Sequence, residues 1–303
     1  MRKWVDTRPR TRNCAVGEVV ESEKAGVWSV VLVEDERLPS RGGTDEISGF
    51  DCPWPYRIHG EEAWIQRTWK FAKSLSASHR VLTVMDQAHW GYAWKLLIQE
   101  SLGRIIWQPE RRGSLLGLLL ALSYIRFHNP AGVVIVCLVK PTGVLSDSFC
   151  EAVPKALQRV RQIPGRMVGL VVPPTLGGEA GGWNVSDDGD AMKSDAILGF
   201  AQKEFEGHSL CGTSPIPMGD GWGEKKLVGV LVTHVETIWA AGKRVFPDLL
   251  NQLDALGPVL GTSREQQILG DLYRSRPFET ISDRFFPFLH SQMEVHAITA
   301  NIL

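Results

Sequence analysis

The strongest constraint on this chain is a series of short, unbroken apolar runs, rich in valine, that recur between segments of helical character. Val27–Val33 is the first, and 81–85, 105–108, 133–138 and Met167–Val172 follow. A short apolar run without alternation is the pattern of a strand covered on both faces. The segments between them, 63–74, 89–100, 114–127 and 149–160, are each long enough for about three helical turns. Strand alternating with helix implies right-handed crossovers. The expected fold is therefore α/β, a Rossmann-like, mostly parallel sheet with helices on both faces and ligands at the carboxyl ends of its strands.

The second half is less regular. Segments 173–189 and 207–223 are rich in Gly, Pro and Ser and flank a short strand expected at 197–200; both are candidate lids. Residues 228–233 resume the buried-strand pattern. Helices are expected at 237–256, with a break near Gly242, and at Ser263–Arg274. No internal repeat is visible, so a single domain over 27–303 follows. It is preceded by a tail, 1–26, that carries Arg2, Lys3, Arg8, Arg10 and Arg12 against Asp6 and has no apolar periodicity. A flexible solvated tail is preferred there over a nucleic-acid arm.

Composition narrows the function. With 303 residues, 44% of them hydrophobic, the chain can bury a sizeable core. A formal net charge of -1 gives no global attraction to nucleic acid or anionic membrane, so any polyanion site must be local. The run Leu115 to Leu122 falls well short of the roughly 18 residues of a membrane span, and the charged N-terminus does not read as a signal peptide. A cytoplasmic protein is expected, with neither a membrane nor a nucleic-acid partner. The five cysteines, Cys14, Cys52, Cys137, Cys150 and Cys211, have no metal-ligand spacing and read as reduced, mostly buried thiols. Neither HExxH nor GxSxG occurs, which disfavours a zinc enzyme or an esterase. Of the eleven tryptophans, Trp64, Trp69, Trp90 and Trp94 fall on helices near apolar spacing and read as packing residues.

The most informative local stretch is Gln108-Pro109-Glu110-Arg111-Arg112-Gly113-Ser114, between a buried strand and a very apolar helix. A strand, a tight polar turn and a helix N-terminus together aim backbone N–H groups and the positive end of the helix dipole at the sheet's carboxyl edge, which suits an anion or nucleotide. On these residues alone an ordinary turn with Ser114 as helix N-cap is the preferred reading.

This stretch resembles the Gln-Pro-Glu-Asn-x-Gly-Thr segment of the sugar-1-phosphate nucleotidyltransferases, in their mannose-1-phosphate guanylyltransferase branch. Other elements are similar in the same order. Thr68-Trp69-x-x-Ala72 resembles the family's helix after the sugar-nucleotide loop, and Val84 to His89 its second strand and turn. Gly182-Trp183 resembles the element near the sugar, and Phe200-Ala201-Gln202-Lys203 the Phe-x-Glu-Lys-Pro element. The resemblance implies phosphate-handling, catalytic roles for Arg37, Lys140 and Lys203. It implies nucleotide binding by Arg41, Gln108, Glu110, Gly113 and Ser114, and sugar binding by Gly182 and Trp183. It also implies that the turn after Val33, residues 110–113, Lys140 and Lys203 converge on one cleft.

The departures are as specific. In the family a glycine-rich loop follows the first strand, whereas here Glu34-Asp35-Glu36 precedes the retained Arg37-Leu38-Pro39-Ser40-Arg41. Side chains there block close backbone approach and like charge opposes a triphosphate; a metal-binding acidic turn is the lesser reading. The family's Pro-Lys pair corresponds to Pro53-Trp54, with Arg57 the nearby base. Lys140 stands at the position of the family's magnesium-holding aspartate, which removes an oxygen donor and repels a cation. No residue is assigned to a metal, and magnesium is expected as cofactor only for an active enzyme. Three readings follow. The first is a nucleotidyltransferase making an NDP-sugar of the GDP-mannose type from NTP and a sugar 1-phosphate. The second is a non-catalytic regulatory or interaction protein that binds a nucleotide or sugar nucleotide. The third is a scaffold alone.

Overall fold

The computed structural model describes residues 26–33, 54–56, 58–59, 62–97, 103–139, 147–172, 183–186, 199–202, 225–260, 262–279, 285 and 293–297. The tail 1–25, the segment 34–53 and most of the two Gly/Pro/Ser-rich loops lie outside these residues.

The apolar runs are strands of one sheet: β1 (Val27–Val33), β4 (Val81–Asp86), β5 (Arg104–Gln108), β6 (Val133–Val139), β7 (Met167–Val172), β10 (Lys225–His234) and β11 (Met293–Ala297). β2 (Ile58–His59) and β3 (Glu62–Ala63) form a separate small hairpin, and β8 (Trp183–Ser186) and β9 (Gly199–Gln202) join the main sheet beside β10. Among the described residues the main sheet has nine strands, in the order β11-β7-β10-β6-β1-β4-β5 with β8 and β9 off this path. β10 runs antiparallel to both β6 and β7, while β6, β1, β4 and β5 are mutually parallel and β11 is parallel to β7. The sheet is thus mostly parallel, with β10 and β9 the reversed strands among those described.

The central strands β1, β4 and β6 are largely apolar because both faces are covered. Val30, Leu32, Leu82, Val84, Val134, Val136 and Leu138 meet α3 (Ser114–His128), which is backed by α5 (Val235–Val245), α6 (Pro247–Asp254) and α7 (Ser263–Arg274). The other face meets α1 (Trp64–Leu75), α2 (Trp90–Leu97) and α4 (Asp147–Gln162). α3 has no polar face in its first three turns, and every residue from Ser114 to Ile125 is buried. A helix apolar all round must be enclosed, and here the sheet lies on one side and α5, α6 and α7 on the other. Fully burying each of its leucines stabilises the fold by about 1.5–3 kcal/mol.

Two polar side chains inside the strands are paired with the helix side of the core. Ser29 Oγ lies 2.7 Å from Ser76 Oγ, and Trp69 Nε1 donates to Thr83 Oγ1 at 2.9 Å. Such pairing removes the cost of burying them.

Three expectations need correction. The helix expected over 237–256 breaks at Phe246 rather than near Gly242, because Pro247 opens α6 and holds Phe246 out of the helical region at φ -134, ψ 58. Gly242 stays inside α5, where a Cβ would meet Leu250 Cδ2 at 3.4 Å, an ordinary contact. Trp69 is buried as expected, but Trp90 and Trp94 are about half exposed, with rings 5.2 Å apart, and Trp90 also meets Trp107 at 5.0 Å. The strand expected at 197–200 is Gly199–Gln202. Among the described residues no helix is long and apolar enough to cross a membrane.

Candidate functional site

The four parallel strands β5, β4, β1 and β6 end at one edge. Val33 pairs with Val139, Leu32 with Val84, and Asp86 with Gln108. With neighbouring strands about 4.8 Å apart, these four ends span about 14 Å. Glu34 and Lys140 therefore follow two residues that face each other across adjacent strands. Arg37, Arg41, Lys140, Gly182 and Lys203 themselves lie outside the described residues.

Trp183 begins β8 and faces Gln202 of β9 on one side and Leu227 of β10 on the other. β7 takes the opposite edge of that stretch of β10, so β8 lies on the edge that β6 uses further along, where Val230 faces Cys137. Trp183 accordingly sits just past the carboxyl end of β6, beside the residue that precedes Lys203. The elements quoted around Trp183 and Gln202, far apart in sequence, are thus hairpin partners at the same edge.

The turn after β5 is held from behind. Gln108 is buried, and its Oε1 accepts a hydrogen bond of 2.9 Å from the Tyr273 hydroxyl of α7. Its amide lies flat on α3: a Cβ on Gly117 would sit 2.9 Å from Gln108 Oε1. Arg112 Nη2 is 2.6 Å from Glu110 Oε2, and Arg112 Nε donates to the Tyr273 carbonyl at 2.7 Å. Gly113 has φ 84 and ψ 176, a conformation essentially reserved for glycine, and a Cβ there would fall 2.1 Å from the Glu279 carbonyl oxygen. The N-cap of α3 is Gly113, without a side-chain cap, and Ser114 is the first helical residue rather than the cap. Part of the missing cap comes from the main chain, since the Leu115 N–H donates to the Glu279 carbonyl at 3.3 Å and the Glu279 N–H donates to the Arg112 carbonyl at 3.1 Å. One of the backbone donors of this N-terminal turn is thus satisfied by the 277–279 segment.

Two residues at this edge are not apparent in the sequence as site residues. Asp86 is buried at the end of β4, opposite Gln108 and on the same sheet face. Tyr273 is fully buried, and burial first and the Asp86 carboxylate second push its hydroxyl well above the usual tyrosine range, so it stays protonated as a donor. Asp86 lies inside the quoted Val84 to His89 stretch; Tyr273 carries no local signal at all. On the opposite face of the sheet the buried His89 places Nδ1 2.9 Å from the Tyr56 hydroxyl, and Tyr56 stacks on Tyr92 at 5.7 Å.

Similar architectures settle the fold. A mannose-1-phosphate geranyltransferase from Thermus thermophilus is similar in structure with a TM-score of 0.64 at 16% identity, over 90% of this chain and 74% of that one. A mannose-6-phosphate isomerase from Helicobacter pylori is similar with a TM-score of 0.58 at 12% identity, over 91% of this chain and 98% of that one. The chain has a nucleotide-diphospho-sugar transferase fold. No family model matches the chain, and no curated protein matches it in sequence. As a divergent form of the sugar-phosphate nucleotidyltransferase-like fold, it places its sheet's carboxyl edge, with Gln108, Glu110, Gly113, Ser114 and Trp183, where open α/β sheets take their ligands.

Proposed function

We propose that this chain binds a nucleotide or sugar nucleotide at the carboxyl edge of its sheet without turning it over, as a non-catalytic, cytoplasmic regulatory or interaction protein built on a nucleotidyltransferase fold. The observation that carries this reading is the register at that edge. Val33 lies beside Val139, Asp86 beside Gln108, and Trp183 between Gln202 and Leu227, so the described ends of β1, β4, β5, β6 and β8 lie at one edge. A nucleotide laid across these ends meets Gln108 and Glu110 with its base, Arg37, Arg41, Lys140 and Lys203 with its phosphates, and Trp183 and Gly182 with its sugar.

Against turnover stand the residues that leave the two central strands. Glu34, Asp35 and Glu36 follow β1, and Lys140 follows β6. Nucleotidyl transfer depends on neutralising phosphate charge and on backbone wrapped close to it. Carboxylates repel the triphosphate, and an ammonium group is no ligand for magnesium, so the residue after β6 does not fit the metal that an active enzyme needs. Each defect removes a few kcal/mol of transition-state stabilisation, and each 1.36 kcal/mol is worth about tenfold in rate.

Isothermal titration with GTP, GDP-mannose and mannose 1-phosphate, with and without magnesium, tests binding. At least one nucleotide is expected to bind. In a pyrophosphate-release assay with GTP and mannose 1-phosphate no turnover above background is expected, and Lys140→Asp alone does not rescue it. Absence of all binding would leave the fold as a scaffold. Robust release by the wild type that Lys203→Ala abolishes would instead establish a working transferase of the GDP-mannose type.

A further inference from the structure

We propose that β5 is a self-association edge, at which two copies of this chain pair their β5 strands antiparallel about a two-fold axis through Ile106, with Trp90, Trp94 and Trp107 closing over one face of the junction. This surface is separate from the nucleotide reading, and neither depends on the other.

β5 ends the sheet, and among the described residues β4 is the strand that pairs with it. The outer side of such a strand presents a row of backbone N–H and C=O groups, and proteins that stay monomeric blunt it with charge, proline or a bulge. β5, Arg-Ile-Ile-Trp-Gln, has no proline, its register with β4 runs unbroken from Arg104 to Gln108, and its interior is two isoleucines and a tryptophan. At the opposite end of the sheet, β11 carries Glu294 and His296 in its interior. The one charge on β5 does not guard its edge. Arg104 Nη1 donates to the Tyr124 hydroxyl at 2.6 Å, and its guanidinium carbon lies 4.3 Å from the centre of that ring, so the cation is folded onto α3.

The order of residues in β5 suits pairing with its own copy. Centred on Ile106, the antiparallel pair sets Ile106 opposite the partner's Ile106, Ile105 opposite the partner's Trp107, and Arg104 opposite the partner's Gln108. A β-branched residue against an aromatic one is a favourable cross-strand pair, and no like charges meet. Ile105 and Trp107 are half-buried on the α1 and α2 side of the sheet, so both Ile–Trp pairs fall on that face. There Trp90 meets Trp107 at 5.0 Å and Trp94 at 5.2 Å, and Trp90 and Trp94 are 48% and 49% exposed. The aromatic surface is thus continuous from the strand edge to the outside of α2. At roughly 150–250 Å² per aromatic side chain, the exposed halves of these two tryptophans on both copies add about 400 Å² to the strand pairing. An interface below about 1,200 Å² in total is weak, so the dimer is expected to form in the micromolar range.

Sedimentation velocity on the full chain, from about 1 to about 100 μM, tests the pairing, with a thermal melt on each variant. The wild type is expected to pass from monomer to dimer over this range. Trp94→Ser, at a half-exposed position, weakens the dimer about tenfold or more. Ile106→Lys sets two ammonium groups opposite each other and abolishes it. The register has its own readout, because residues directly opposite in an antiparallel pair lie within reach of a disulfide. Under mild oxidation Ile106→Cys is expected to give a covalent dimer, while Phe127→Cys, exposed on α3, gives no more than the wild type. If Ile106→Lys does not fold, Trp94→Ser and Ile106→Cys decide. A wild type that stays monomeric throughout, a dimer that Trp94→Ser leaves unchanged, or equal cross-linking of Ile106→Cys and Phe127→Cys would each overturn the proposal.

Discussion

Gly113→Ala isolates the contact that shapes the turn after β5. Two costs add at this position. The backbone has φ 84 and ψ 176, a region that costs a side-chain-bearing residue on the order of 1–3 kcal/mol. The new Cβ would also lie 2.1 Å from the Glu279 carbonyl oxygen and 2.7 Å from its carbon, both backbone atoms, so the 277–279 segment must move. That movement breaks the Glu279-to-Arg112 and Leu115-to-Glu279 hydrogen bonds, each worth about 1 kcal/mol. Together these put Gly113→Ala at about 4 kcal/mol, or a fall of about 8 °C in Tm for a chain of this size. Gly165→Ala is the control, because Gly165 has φ +88 with nothing within 4 Å of a Cβ, so it carries only a backbone cost of about 1–2 kcal/mol. Thermal and urea melts of the ligand-free protein compare the two. Equal losses would show that the close approach of Glu279 does not hold this turn, and a loss in Gly113→Ala seen only with nucleotide present would return the glycine to a purely ligand-facing role.

Burial pushes the Cys137 thiol up to about 12, while an unfolded thiol titrates near 8.5. The folded state therefore holds its proton more tightly, and the stability this contributes is complete below about pH 8.5 and is lost as pH rises toward 12. The urea midpoint is expected to fall between pH 8.5 and 10.5, less steeply in Cys137→Ala; an identical slope in both would refute it. Asp254 accepts from Arg126 Nη1 at 2.6 Å and pairs with Lys243 Nζ at 2.8 Å, with its side chain 30% exposed. Asp254→Asn is expected to cost about 1 kcal/mol in low salt and less in 1 M salt, as a partly exposed ion pair should; a salt-independent cost would mean that the charge is not what matters.

Legibility in the sequence followed burial. β1 and β6 were readable because every residue in them is buried, so an unbroken valine-rich run is their necessary signature. β11, Met-Glu-Val-His-Ala, does not read as a strand because it alternates, as a strand at the end of the sheet can, and among the described residues pairs with β7 alone. The turn at 108–114 was legible as a candidate site, but its partners were not. Tyr273 and Gln108 are separated by 165 positions, and nothing near Tyr273 marks it as anything but a core aromatic.

By itself the sequence determined the α/β class and the order of the buried strands and the helices between them, because apolar period and run length report local burial directly. The tertiary structure alone decided that β10 runs against both its neighbours, that Trp183 faces Gln202 beside the end of β6, that Gly113 gives way to Glu279, and that the Gln108 amide turns its oxygen toward Tyr273. The physical reason is common to all four. Each depends on which distant segment arrives as a neighbour, and a residue's own surroundings in the chain carry no record of that.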